Sequence, residues 1–128
     1  MKVQSMKHLS LILALLLAAG FIFFGVQKFG TTNPVFSIIA ERSGIGLFEP
    51  LVRMMTGAGE LLAALMLLIP AARKLGTLLG LAILIGAIGF HLSPWLGINV
   101  PGIGHGLFAT AVIMLVINVI LARRLMRK

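Results

Sequence analysis

The sequence predicts an all-α integral membrane protein, a single domain built as a bundle of four membrane-crossing helices. Its composition supports this fold class. Hydrophobic residues make up 59% of the 128 residues and charged residues only 11%, against roughly 25% charged residues in a soluble domain. The mean hydropathy is +1.11. Because so few charges would leave a water-facing surface uncovered, we expect the lipid bilayer to surround the chain.

The second observation is that the chain divides into four apolar runs, each near the roughly 20 residues that cross the hydrocarbon core. We expect membrane spans at about 6–29, 48–70, 75–92 and 102–122. Each is expected to be a helix, because a helix satisfies its own backbone in lipid. Residues 30–47 are mixed in polarity. They are predicted to form an outer segment with a short helix at the membrane interface.

Lys and Arg are unevenly distributed between the two sides of the predicted bundle. Eight of the 11 lie at the N-terminus, in the turn 71–74 and at the C-terminus, whereas Lys28, Arg42 and Arg53 lie toward the other side. Cytoplasmic loops carry the excess of Lys and Arg. We therefore expect both termini in the cytoplasm. We interpret the net charge of +8 as the excess of Lys and Arg that sets the orientation in the membrane, and no nucleic-acid partner is expected.

Small residues recur at spacings that suit close helix packing. The residues predicted to pack helices together are Gly57, Gly76, Gly80, Gly86, Gly102 and Gly106. Packing within one bundle and packing between copies in a homo-oligomer both fit this pattern. The polar Asn118 is predicted to make a hydrogen bond between helices, since an amide in lipid needs a partner.

Five polar residues are predicted to meet in the outer half of the bundle: Lys28, Arg53, Glu60, His91 and His105. Charged groups within membrane spans usually face the bundle interior and find partners. One interpretation is structural, with Lys28 or Arg53 neutralising Glu60. The other is a site open to the outer face that binds a quinone headgroup, an anion or a proton. No metal site is expected, because Cys is absent and the His residues lack ligand spacing.

Three stretches of the chain are similar to the DoxX-like family of small bacterial membrane proteins. They are GVQKF at 25–29, TGAGELL at 56–62 followed by LIP at 68–70, and GAIGFHL at 86–92. The resemblance implies a four-helix protein of the bacterial inner membrane and singles out Lys28, Glu60 and His91. The family takes its name from the small subunit of a thiosulfate:quinone oxidoreductase, so the resemblance also implies quinone as a cofactor.

The leading functional hypothesis is an accessory or quinone-facing membrane subunit of a redox system. Because the chain has no Cys and no cofactor motif, it is not expected to be catalytic alone, and an oxidoreductase subunit is its expected partner. Two alternatives stay open at this point. One is a small carrier for a proton, a weak acid or an anion, and the other is a scaffold that recruits a partner protein.

Overall fold

The computed structural model describes residues 2–30 and 33–127, with side chains from His8 onward, and these residues form helices and turns without a strand. Five α-helices follow one another along this part of the chain: α1 Lys2–Gln27, α2 Pro34–Ser43, α3 Leu51–Leu68, α4 Arg73–Leu92 and α5 Gly106–Met126. Short 3-10 turns, Gly46–Phe48 and Pro70–Ala72, precede α3 and α4. The all-α fold class is therefore confirmed.

Four helical segments are long and apolar enough to cross a membrane: His8–Gln27, Gly46–Leu68, Pro70–Leu92 and Gly106–Met126. They correspond to the four predicted spans and indicate a multi-pass membrane protein. The fourth begins later than predicted, because its helix starts at Gly106 rather than at residue 102. Gly102 and Gly104 adopt φ values of 79° and 94°, a left-handed conformation that ends helical geometry and that glycine tolerates best.

The short helix expected within 30–47 is α2, and its ends follow from local side-chain chemistry. Asn33 Oδ1 accepts hydrogen bonds from Val35 N at 3.0 Å and Phe36 N at 3.4 Å, which satisfies amides that lack a partner in the first turn. Gly44 ends the helix with φ 74° and donates its N–H to Ala40 O. Both are common helix caps, and they stabilise the two ends of α2.

The four long helices form a ring in which α1 packs on α3, α3 on α4, α4 on α5, and α5 on α1. We call the end with the start of α1, the Pro70–Ala72 turn and the end of α5 the termini end. The opposite end, with α2 and residues 93–105, is the loop end. Arg124 Nε donates to Ser10 Oγ at 3.1 Å, which joins α5 to α1 at the termini end.

The half of the bundle toward the termini end is closely packed. Its core includes Leu17 and Phe21 of α1, Leu67 of α3 and Leu121 of α5, all fully buried. Asn118 is also fully buried. With its amide oriented to satisfy both neighbours, it donates to Thr77 O at 3.1 Å and accepts from Leu81 N at 3.3 Å. The predicted hydrogen bond between helices is thus formed from α5 to α4.

Three of the predicted packing glycines lie where helices approach most closely. A Cβ at Gly57 would lie 2.8 Å from Lys28 Cβ, and one at Gly76 would lie 2.9 Å from the backbone nitrogen of Leu67. A Cβ at Gly80 would collide with the Asn118 amide. Real Cβ atoms do not approach other atoms so closely, so these positions require glycine for the observed packing.

The other three predicted packing glycines do not have this role within the described part of the chain. A Cβ at Gly86, Gly102 or Gly106 would meet no heavy atom within 4 Å. Gly86 lies beside a cavity, Gly102 is in the turn before α5, and Gly106 is the first residue of that helix. Close packing within one bundle is therefore not observed at these positions, because spacing alone does not say which helix face has a neighbour, and packing between copies stays a prediction.

We predict that Gly80→Ala destabilises the protein by about 1–3 kcal/mol, the usual cost of an overpacked core. The added methyl group would collide with the Asn118 amide and press on the Phe21 ring, 3.1 Å away. Thermal unfolding in detergent measures the effect. Gly89→Ala is the matched control, because no atom lies within 4 Å of its Cβ position. Equal unfolding midpoints for the two variants would contradict the packing assignment.

Candidate functional site

A cavity of about 710 Å³ occupies the half of the bundle toward the loop end. All five helices contribute to its walls, and most of the lining side chains are apolar. Along α4 its lining runs from Leu79 to His91, which is about 18 Å at 1.5 Å per residue. A volume between 300 and 1,000 Å³ with a few polar groups in an apolar wall is typical of small-molecule sites.

Three of the five predicted site residues line this cavity: Lys28, Glu60 and His91. Lys28 Nζ lies 2.6 Å from Glu60 Oε1, and the two side chains are only 14% and 8% exposed. Lys28 Nζ also donates to Phe24 O at 3.3 Å. Of the two cations considered for neutralising Glu60, Lys28 is therefore the one that does so.

Two glycines place this ion pair between α1 and α3. Gly25 and Gly57 each precede a charged residue by three positions, and residues three apart share a helix face. A Cβ at Gly25 would lie 3.2 Å from Glu60 Cβ, and one at Gly57 would lie 2.8 Å from Lys28 Cβ. Each glycine thus makes room for the charged side chain of the other helix.

The Glu60 carboxylate keeps unused hydrogen-bonding capacity. The residue is 6% exposed, and its one polar contact among the described residues is with Lys28. A carboxylate offers about four lone-pair sites. Because Glu60 lines the cavity, the remaining acceptor sites are available to a molecule bound there.

His91 contributes a second acceptor to the cavity. Its Nδ1 lies 2.9 Å from Gly97 O, and a carbonyl oxygen accepts only, so Nδ1 carries the proton in this contact. In the neutral ring Nε2 is then an acceptor. The imidazole is 6% exposed and packs at an angle against Phe108, with 5.7 Å between ring centroids. The backbone and the aromatic ring together fix its orientation.

Arg53 is buried but does not line the cavity. Its Nε and Nη2 each lie 2.6 Å from Glu49 Oε1. Its Nη1 donates to Lys28 O at 2.6 Å and to Gly30 O at 2.8 Å. The last carbonyls of a helix lack partners within it, so Arg53 holds the end of α1, and with it Lys28, against α3. The expectation that Arg53 belongs to the pocket itself was wrong.

His105 is not part of the cavity either. It is exposed and precedes the first residue of α5. Residues 100–104 form a tight turn in which Val100 N donates to Gly104 O at 3.0 Å and Gly104 N donates to Val100 O at 2.8 Å. This turn delays the start of α5 by four residues relative to the expected span, and His105 therefore does not join His91 and Glu60.

The cavity wall also contains residues that the sequence analysis did not assign to a site. Phe36 and Ile39 of α2 are buried and line it, so α2 packs over the bundle. Arg42 Nη1 donates to Trp95 O at 3.1 Å and connects α2 to the loop after α4. Two large apolar residues three positions apart share a helix face, which was the signal for a packed face.

The loop half of the bundle carries equal numbers of acidic and basic residues. It contains all three acidic residues, Glu41, Glu49 and Glu60, and three of the 11 basic residues. Both carboxylates inside the bundle are paired with cations, Glu49 with Arg53 and Glu60 with Lys28. A ligand in the cavity therefore meets one ion pair and an imidazole, without a net charge when His91 is neutral.

No family model, curated protein or solved structure matches the chain significantly. The functional interpretation therefore depends on the geometry of the cavity and on the three motif resemblances in the sequence. Among the described residues, no group of three or more His or Glu side chains is arranged to hold a metal ion.

We predict that Arg53→Met destabilises the protein by about 3 kcal/mol, the lower end of the range for breaking a buried ion pair, because it leaves the partly buried Glu49 carboxylate without its cation. Detergent unfolding and abundance in the membrane measure the loss. The double variant Glu49→Gln, Arg53→Met should recover part of it, since no unpaired charge remains. Recovery should be incomplete, because the carbonyls of Lys28 and Gly30 still lack their donor. Equal stability of the single and double variants would contradict the assignment.

Proposed function

We propose that the protein resides in the bacterial inner membrane with both termini and the α3–α4 turn in the cytoplasm. The charge distribution supports this orientation. Eight basic residues and no acidic residue lie toward the termini end, whereas three of each lie toward the loop end. An excess of Lys and Arg in short loops is retained on the cytoplasmic side. The cavity then belongs to the outer half of the membrane.

Single cysteines test this orientation, since the natural chain has none. Ile45→Cys lies in the loop before α3, and Ala71→Cys lies in the α3–α4 turn, and both positions are exposed. In intact spheroplasts a membrane-impermeant maleimide should label Ile45→Cys readily. It should label Ala71→Cys only after permeabilisation. The reverse pattern would overturn the proposed orientation, and labelling of the unsubstituted chain gives the background.

We further propose that the protein is a quinone-facing subunit or accessory of a membrane redox system. The observation that carries this proposal is the long apolar cavity with the Lys28–Glu60 ion pair and His91 in its wall. A quinone combines a ring with polar oxygens and an apolar tail, which suits a mostly apolar cavity about 18 Å long. The resemblance to the DoxX-like family supports the same ligand class.

The polar residues of the cavity suit the ring of such a ligand. The Lys28 ammonium has three N–H donors. One donates to Phe24 O, and the group is ion-paired with Glu60, so at least one donor is left for a ring oxygen. Glu60 and His91 offer acceptors. A bound quinone supplies two-electron chemistry, while these residues hold and orient its ring. The absence of Cys is consistent with a subunit that binds the carrier and exchanges electrons through a partner protein.

An anion carrier receives less support from the cavity. Carrying an anion calls for a cation that is not already neutralised, and Lys28 is held 2.6 Å from Glu60. A protein scaffold requires no ligand in the cavity. It predicts that substitutions there alter abundance alone.

We predict that quinone copurifies with the natural protein extracted in its native lipid. In the His91→Ala variant, the amount of quinone per protein should be at least tenfold lower. The substitution opens the cavity wall and removes the ring that packs against Phe108. Extraction followed by mass spectrometry measures quinone per protein, with protein abundance recorded in parallel. Thr110→Ala is a control, because Thr110 does not line the cavity. Quinone at the level of bulk lipid in every sample would overturn the proposal.

A further inference from the structure

We propose that the cavity binds the hydroquinone form of its ligand in preference to the quinone form. This inference rests on the proposed quinone-binding function and goes beyond it, because it assigns the redox state that the site stabilises. A quinone has two carbonyl oxygens, which only accept hydrogen bonds. A hydroquinone has two hydroxyl groups, each of which also donates. The donors and acceptors in the cavity wall therefore distinguish the two forms.

The environment of the Glu60 carboxylate is the first observation that supports a preference for the hydroquinone. Glu60 is 94% buried (6% exposed), lines the cavity and has no donor other than Lys28 among the described residues. A buried acceptor without enough donors is costly, and a bond from a hydroxyl to a carboxylate is short and strong. A hydroquinone hydroxyl supplies the missing donor, whereas a quinone oxygen brings further lone pairs toward the carboxylate.

His91 is the second observation, and it comes from a different helix. Its Nδ1 is committed to Gly97 O at 2.9 Å, so the neutral ring presents Nε2 as an acceptor. Nε2 is therefore also complementary to a hydroxyl and not to a carbonyl. Both buried polar side chains of the described cavity wall, one from α3 and one from α4, favour the same redox form.

The donors available to a quinone oxygen are less buried than these two acceptors. Lys28 donates one N–H to Phe24 O and is ion-paired with Glu60. The remaining amide donors in the lining belong to Gln27 and Asn33, which lie next to the end of α1 and the start of α2. Gln27 is exposed, so its amide can donate to water instead of to a quinone oxygen, and that bond adds little to the binding free energy. Among the described residues, the buried polar side chains of the cavity wall are thus acceptors, whereas the side chains that can donate are partly buried or exposed.

The test compares the affinity of the full chain, in phosphatidylcholine nanodiscs, for two probes. They are a benzoquinone with one isoprenoid unit and the corresponding hydroquinone, the latter measured anaerobically. Isothermal titration calorimetry gives both dissociation constants, and empty nanodiscs correct for partition into lipid. We expect the hydroquinone to bind at least tenfold more tightly. A tenfold preference raises the two-electron midpoint potential of the bound couple by about 30 mV, which a redox titration checks independently.

Glu60→Gln should reduce the preference to about threefold or less. Its amide oxygen can still accept from Lys28, but its N–H groups now donate to a quinone oxygen. His91→Asn should also reduce the preference, because Asn can keep a donor near Gly97 O while it lacks the Nε2 acceptor. Glu41→Gln is the matched control, since Glu41 is exposed on α2 and does not line the cavity. It should leave both affinities unchanged.

The outcomes separate this inference from the function on which it rests. Equal affinities, or tighter binding of the quinone, would overturn the redox preference and leave the proposed function standing. Specific binding of neither probe would overturn both. A preference that persists in a folded Glu60→Gln variant and in a folded His91→Asn variant would overturn the assignment of these acceptors. Size-exclusion chromatography and the unfolding midpoint establish that each variant is folded.

Discussion

The contact between α1 and α3 is the constraint on which the loop half of the bundle depends. Gly25 and Gly57 bring the two helices close enough for Lys28 and Glu60 to pair at 2.6 Å. Neither charge is affordable alone within a membrane span, because an isolated charge there costs several kcal/mol. The close approach of α1 and α3 and the neutralisation of the two charges therefore depend on each other. Arg53 reinforces it by binding the carbonyls at the end of α1.

The bundle is divided along its axis into a packed half and an open half. Toward the termini end, large apolar side chains and the Asn118 amide fill the space between the helices. In lipid this packing, and not expulsion of water, holds helices together. A rigid packed half lets the other half keep a cavity of about 710 Å³ without losing the fold. The cavity is thereby confined to one end of the molecule.

Sequence reasoning identified the elements whose signal is periodic or compositional. The four spans followed from apolar runs, and Lys28, Glu60 and His91 followed from their places near the same level of those spans. It failed where tertiary contacts decide. Arg53 was assigned to the pocket, whereas its contacts with Lys28 O and Gly30 O hold it at the end of α1. His105 was misplaced because the turn at 100–104 depends on backbone conformations that apolar periodicity does not record.

The two buried ion pairs differ in a way that bears on whether the polar residues form a site or only a structural network. Among the described residues, Arg53 contacts Glu49 and two backbone carbonyls, and it lies outside the cavity. Its role is accounted for by the structure it holds. The Lys28–Glu60 pair faces the cavity and retains acceptor capacity. Replacing a buried pair by apolar residues is often stabilising, so stability alone gives weak reason for such a pair. A ligand that donates hydrogen bonds to Glu60 supplies a stronger one.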